Sequence, residues 1–170
     1  CFSRDATYMS ANMDPYHSGQ YSIFLYFLAN TIWNADGVTE DVTRLFLLNK
    51  MLNGIDLFYE VEMPPVFMIE HSVGMVFAKA KYGNYCIFHQ GCTVGRSFDD
   101  RPSLGEGIVM YPNASVLGRC VIGDNTVISP GVQVVNRSIP GDCIVFAGKD
   151  GDLILKDLDE LFIKRYFILD

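Results

Sequence analysis

The chain has 170 residues, 49% hydrophobic and 19% charged, which excludes a disordered chain and allows one sizeable core. A formal net charge of −7, with no run of Lys or Arg, argues against nucleic acid as a partner. Five cysteines, an odd count with no Cys-x-x-Cys, exclude a disulfide framework and a zinc ribbon.

Residues 1–19 are polar and irregular. From Tyr21 to Trp33 apolar residues occur almost all round a helix, which predicts a buried helix. The run spans 13 residues, too short to cross a bilayer, so no transmembrane segment is expected. Reduced thiols with no secretory leader in view predict a cytoplasmic protein. Ala35-Asp36-Gly37 breaks the first helix. Thr39 can cap a second, with Glu40 and Asp41 favoured in its first turn by the helix dipole. Val42, Leu45, Phe46 and Leu52 give that helix an apolar stripe, and Gly54 ends it. Residues 1–61 therefore read as an N-terminal helical region.

Residues 62–148 carry the strongest pattern. Leu104, Met110, Val116, Ile122, Ile128 and Val134 recur every six residues, and Tyr82, Phe88 and Val94 keep the same period upstream. A small or β-branched residue follows four positions later: Cys86, Cys92, Ala114, Cys120, Thr126, Val132. A helix needs a period near 3.6 and an ordinary strand a period of 2. A period of six fits a parallel β-helix, in which each hexapeptide forms one flat face and three faces close a triangular coil. The aliphatic points into the prism and the small residue sits where the interior narrows. The fold class is thus mainly β, a parallel β-helix of about four to five coils. The period slips once, between Val94 and Leu104, so the polar stretch from Gly95 to Ser103 must project as a loop. In residues 149–170, Leu158, Leu161, Phe162 and Tyr166 have helical spacing and predict a C-terminal helix capping the open end of the coil.

Three segments carry a family resemblance: Val61-Glu62-Met63-Pro64-Pro65, Ile69-Glu70-His71-Ser72-Val73-Gly74 and Gln90-Gly91-Cys92-Thr93-Val94-Gly95. With Asp14-Pro15 and the Leu25–Leu28 run, they resemble the serine O-acetyltransferase branch of the hexapeptide-repeat acyltransferases. The likeness covers about residues 14–148. It implies a left-handed coil, acetyl-CoA as co-substrate, no metal, and a homotrimer with CoA grooves between subunits. The short N-terminal zone leaves open whether two trimers pair.

By this resemblance His71 matches the catalytic histidine and Glu62 the acidic residue that orients it. Asp14 and Glu70 match residues that hold the amino group of serine. Gly95, Tyr111-Pro112, Ser129-Pro130 and Ala147-Gly148-Lys149 match positions lining the CoA groove. Lys149 and Arg137 are candidate phosphate contacts. Three departures stand out. Glu replaces Asp at positions 62 and 70, and Arg101 stands where the family has a second active-site histidine. The segment joining Glu62 to His71 is six residues, one hexad face, shorter.

The chemistry asked of these residues is simple. A neutral imidazole can take the proton of an attacking hydroxyl near pH 7. A carboxylate on its other nitrogen fixes the tautomer. Backbone N–H groups near Gly95, or the side chain of Arg101, can stabilise the oxyanion. His17 reads as a surface residue or a lining of the acceptor pocket. His89 reads as site lining or a solvated corner. Cys86, Cys92 and Cys120 read as core.

Four functions stay open at this point: acetyl transfer to serine or a similar small acceptor, the same transfer to a sugar of a surface polysaccharide or its nucleotide-linked precursor, a scaffold that has lost activity, and a zinc carbonic anhydrase. The last lacks the needed ligand spacing, since His17, His71 and His89 form no His-x-x-x-x-His pair.

Overall fold

In the computed structural model the described residues are Arg4, Ala6 and 12–169. Two helices precede and flank the first coil. Helix α1 (Ser18–Asp36) is capped by His17, whose Nδ1 accepts the N–H of Gln20 at 3.3 Å. Ile23, Leu25, Tyr26 and Ala29 are buried, but Phe24 and Leu28 face outward, so the helix is not enclosed all round. Helix α2 (Glu40–Asn53) begins as expected, with the Thr39 side chain accepting from Val42 N–H. It ends at Gly54, whose φ of 63° is the left-handed conformation that glycine adopts freely. Val42 is fully buried, whereas Leu52, predicted in the stripe, is exposed.

Among the described residues fourteen strands follow in chain order. The first face of the prism stacks β1 (Ile55–Leu57), β3 (Met75–Phe77), β6 (Thr93–Gly95), β9 (Ser115–Leu117) and β12 (Gln133–Val135). The second stacks β4 (Lys81–Tyr82), β7 (Ser103–Leu104) and β10 (Val121–Ile122), continued by a bridge from Ile122 to Ile139. The third stacks β2 (Phe67–Glu70), β5 (Cys86–His89), β8 (Val109–Met110), β11 (Thr126–Ile128), β13 (Cys143–Ala147) and β14 (Leu153–Asp157). All pairs are parallel except β13–β14. A coil takes about 18 residues, as between Ser115 and its neighbour Gln133.

The hexad pattern is realised. Phe88, Val94, Leu104, Met110, Val116, Ile122, Ile128 and Val134 form one buried interior column set, with Tyr82 packed against it. Cys86, Cys92, Ala114, Cys120, Thr126 and Val132 are buried beside them. The loop after β6 also projects as predicted. Ser97 and Asp100 exchange two backbone hydrogen bonds of 3.0 Å, which reverses the chain and leaves Phe98 exposed at the tip.

Two expectations differ from the structure. The first strand lies at Ile55, inside the stretch read as helical, because Gly54 turns the chain straight into the coil. The C-terminal residues do not form a capping helix. Strand β14 returns antiparallel along β13 and covers the last edge of the third face. A single 3₁₀ turn (Phe162–Arg165) follows on the flank of the prism. Ile163 and Phe167 there cover Met68, Ile87, Val109 and Val127, the outward residues of the third face. That face is apolar on both sides, so burying its outer side decides where the tail lies. No described helix is long and apolar enough to cross a membrane.

Candidate active site

The edge between the third and first faces carries most of the predicted residues. Strand β2 ends at Glu70, and His71 turns the corner with a φ of 53° and its side chain exposed. One coil on, His89 ends β5 and stands in register with Glu70. The next coil brings Tyr111-Pro112, then Ser129-Pro130 and Ala147-Gly148, since Met110 pairs with Ile128 and Ile128 with Val145. Six of the eight candidate CoA contacts thus line up below His71 on one edge. Gly95 lies instead on the first face, at the entry to the loop. Lys149 is exposed in a short turn just past Gly148, and Arg137 is committed to that turn through the Gly151 carbonyl at 3.0 Å.

Helix α1 reaches the head of the same edge because residue 19 is glycine. A Cβ there would come within 2.1 Å of the Ile69 carbonyl oxygen. This close approach delivers Asp14 and His17 to the end of β2. The Asp14 carboxylate accepts the N–H of Tyr16 at 2.9 Å, and its own N–H donates to Gln20 Oε1 at 2.7 Å. His17 serves as the helix cap.

His89 is more constrained than its position one place after Phe88 suggests. Its ring stacks on Tyr111 at 4.9 Å and 21°, and the Tyr111 and Tyr166 hydroxyls lie 3.3 Å apart. Its Nε2 is buried with no hydrogen-bond partner among the described residues. Burial lowers the His89 pKa, and the neighbouring His71 adds to the effect. Burial also pushes the Tyr166 phenol up to about 12, helped by its hydrogen bond to Tyr111.

The His89 shift has a stability consequence. Its pKa is depressed in the folded chain, so the unfolded chain takes up the proton first as pH falls. The contribution is whole above about pH 6.5 and is lost as pH drops from there through the folded pKa. The thermal midpoint is therefore expected to fall between pH 7 and pH 5, and a His89→Gln variant to fall less. Equal pH slopes for both proteins would contradict this environment.

Glu62 and Arg101 do not join this edge. They lie over the second face in a cleft of about 580 Å³, together with Trp33, Glu60, Lys79, Lys81, Pro102 and Ser103; His71 is not among its walls. Glu62 is held by α1. The Tyr26 hydroxyl donates to the Val61 carbonyl and accepts the Met63 N–H, one bond on each side of Glu62. Nine residues separate Glu62 from His71, half a coil, so the two face different sides of the prism. Within one chain Glu62 does not orient His71, and Arg101 does not reach it. Trp33, Lys79 and Lys81 escaped the sequence reading, since outward positions carry no periodic signal. The alternation in Lys79-Ala80-Lys81 was the available hint.

No protein-family model matches the chain. A serine acetyltransferase of Synechococcus elongatus is 34% identical in an alignment of 81 positions that covers 45% of this chain and 33% of that protein. Solved structures of serine acetyltransferases align more widely. That of Brucella abortus gives a TM-score of 0.78 at 20% identity, over 94% of this chain and 65% of its own. The Neisseria gonorrhoeae protein in complex with serine gives 0.71 at 27% identity, over 79% and 56%. The chain spans about half to two thirds of the length of these structures. It is thus a left-handed hexapeptide-repeat β-helix, similar in fold to the serine acetyltransferases and in part of its sequence to one of them.

Proposed function

We propose that this chain is an acyltransferase that moves the acetyl group of acetyl-CoA to the hydroxyl of L-serine, with His71 as general base. The observation that carries the reading is the edge headed by His71, in a chain similar to serine acetyltransferases. Glu70, His71 and His89 gather at one corner, next to the segment that bears Asp14. The exposed imidazole there can take the hydroxyl proton as the oxygen attacks the thioester carbonyl. The new C–O bond forms and the C–S bond breaks. The departing CoA thiolate then recovers the proton from the imidazolium. Direct transfer needs no acyl-enzyme, and the described cysteines are all buried. Burial raises the thiols of Cys86 and Cys92, to about 12 and about 11, which leaves them inert as nucleophiles.

The edge from Tyr111 to Lys149 is our candidate for the CoA groove. We also propose a homotrimer, supported by Val76 and Val135, which project outward from the first face and are exposed. A trimer would let the cleft of one copy face the His71 edge of the next. A cytoplasmic location accords with four reduced, buried cysteines.

Release of CoA from acetyl-CoA, read with a thiol reagent, tests the proposal. L-Serine is expected to support turnover. Acetyl-CoA binding without turnover on serine would overturn the acceptor, and turnover on a sugar instead would move the protein to polysaccharide acetylation.

A further inference from the structure

Within one chain His71 does not line the cleft over the second face, whose lining is unusual for this chain. The whole chain carries a net charge of −7, yet the cleft gathers three cations. Lys79 is bound to Glu60. The side chains of Lys81 and Arg101 make no ion pair or hydrogen bond with any described residue. Trp33 and Ser103 line the same cleft, and neither the indole N–H nor the Ser103 hydroxyl is hydrogen-bonded to a described residue.

The backbone sets these donors side by side. Lys81 and Ser103 are partners across β4 and β7, so both project from the same face about 4.8 Å apart. The Lys81 N–H donates to the Pro102 carbonyl at 3.2 Å, which holds Arg101 next to them. In the loop, the acid next to Arg101 in sequence faces another cation, with Asp100 lying 3.8 Å from Arg119. Glu62 is the single acid of the cleft outside an ion pair, so two cations face one carboxylate.

Two cations with the Ser103 hydroxyl beside them suit a dense oxyanion. A phosphate monoester carries about −1.5 to −2 charges and three acceptor oxygens, whereas a carboxylate offers two. A cleft of about 580 Å³ accommodates a drug-sized molecule and exceeds what a bare anion or a small amino acid fills. Trp33 provides a flat apolar wall, and Glu62 accepts from a hydroxyl or amine. We infer that this cleft binds a phosphate monoester of a polar small molecule, with Lys81, Arg101 and Ser103 on the phosphate and Trp33 and Glu62 on the organic part. The phosphate can belong to a sugar or to the 3′-phosphate of CoA, and the test separates the two.

Trp33 is the sole tryptophan, so its emission reports the cleft directly. The full chain is titrated with glucose 6-phosphate, glucose, CoA, dephospho-CoA and L-serine. A saturable change with glucose 6-phosphate and none with glucose is the expected result. A change with CoA that dephospho-CoA does not reproduce would assign the phosphate to the co-substrate and equally support the site. Replacing Lys81→Gln and Arg101→Gln together is expected to weaken binding about tenfold or more, as loss of charge-assisted hydrogen bonds should. Both residues are exposed, and unchanged far-UV circular dichroism verifies the fold; Ser103→Ala gives a milder second variant. No response to any phosphate compound at millimolar concentration would overturn the inference. So would binding that ignores the double substitution, or a saturable response to L-serine alone. The readout needs no turnover, so its failure leaves serine-dependent CoA release standing, and the reverse.

Discussion

A His71→Asn variant is expected to lose about 10²- to 10⁴-fold in serine-dependent CoA release, the usual worth of a positioned general base. Asparagine is the informative replacement. His71 holds a φ of 53°, where most side chains are strained, and asparagine adopts that conformation more readily than most. The side chain is exposed at the corner, so little packing is lost. Asparagine keeps hydrogen-bonding capacity but cannot take up a proton near pH 7. The thermal midpoint should stay within the range of an ordinary surface change, and acetyl-CoA binding should persist. Retained turnover in His71→Asn would remove His71 from the chemistry. Lost turnover accompanied by a lowered midpoint would show that the corner, rather than the base, had failed.

The interior was legible in the sequence because geometry constrains it. Each coil must return three inward residues, so the phase from Tyr82 to Val134 is repeated without choice and each member lies inside or against the core. The helix caps at Thr39 and Gly54 were legible for a similar reason, since each satisfies backbone groups that nothing else nearby can. Outward residues answer to no period. Met68, Ile87, Val109 and Val127 form an apolar outer face that only a covering segment explains, and Ile163 and Phe167 of the tail supply it. The candidate site divides along the same line. His71, Glu70 and His89 fall together because register puts neighbouring coils side by side. Glu62 falls apart from them because its distance along the chain is half a coil. The cleft joins residues from α1, from the segment before β2, and from β4 and the loop before β7, a meeting no local pattern announces.

A Phe88→Ala variant is expected to lose about 3–5 kcal/mol of stability. Phe88 is fully buried, and its ring packs edge-on against Phe77 at 4.8 Å and Tyr82 at 6.2 Å. The prism closes around this trio, so the coil has little means to collapse into the void. A solenoid holds together through nearest-neighbour contacts, so a cavity there loosens the first coils and the helices docked on them from the coils beyond. Two probes separate these outcomes in a denaturant titration. Trp33 reports on α1 and circular dichroism on the whole chain. The Trp33 transition is expected to move to lower denaturant and to precede the circular dichroism transition, which coincides with it in the parent protein. A loss below about 1 kcal/mol would contradict the packing described around this ring. The variant also bears on the site. Inward and outward residues alternate along β5, so a shift of Phe88 moves His89, which stacks on Tyr111 and stands in register with Glu70. Serine-dependent CoA release should therefore fall in Phe88→Ala even at a temperature where the chain remains folded, and a change at exposed Val121, on another face of the prism, should leave it unaltered.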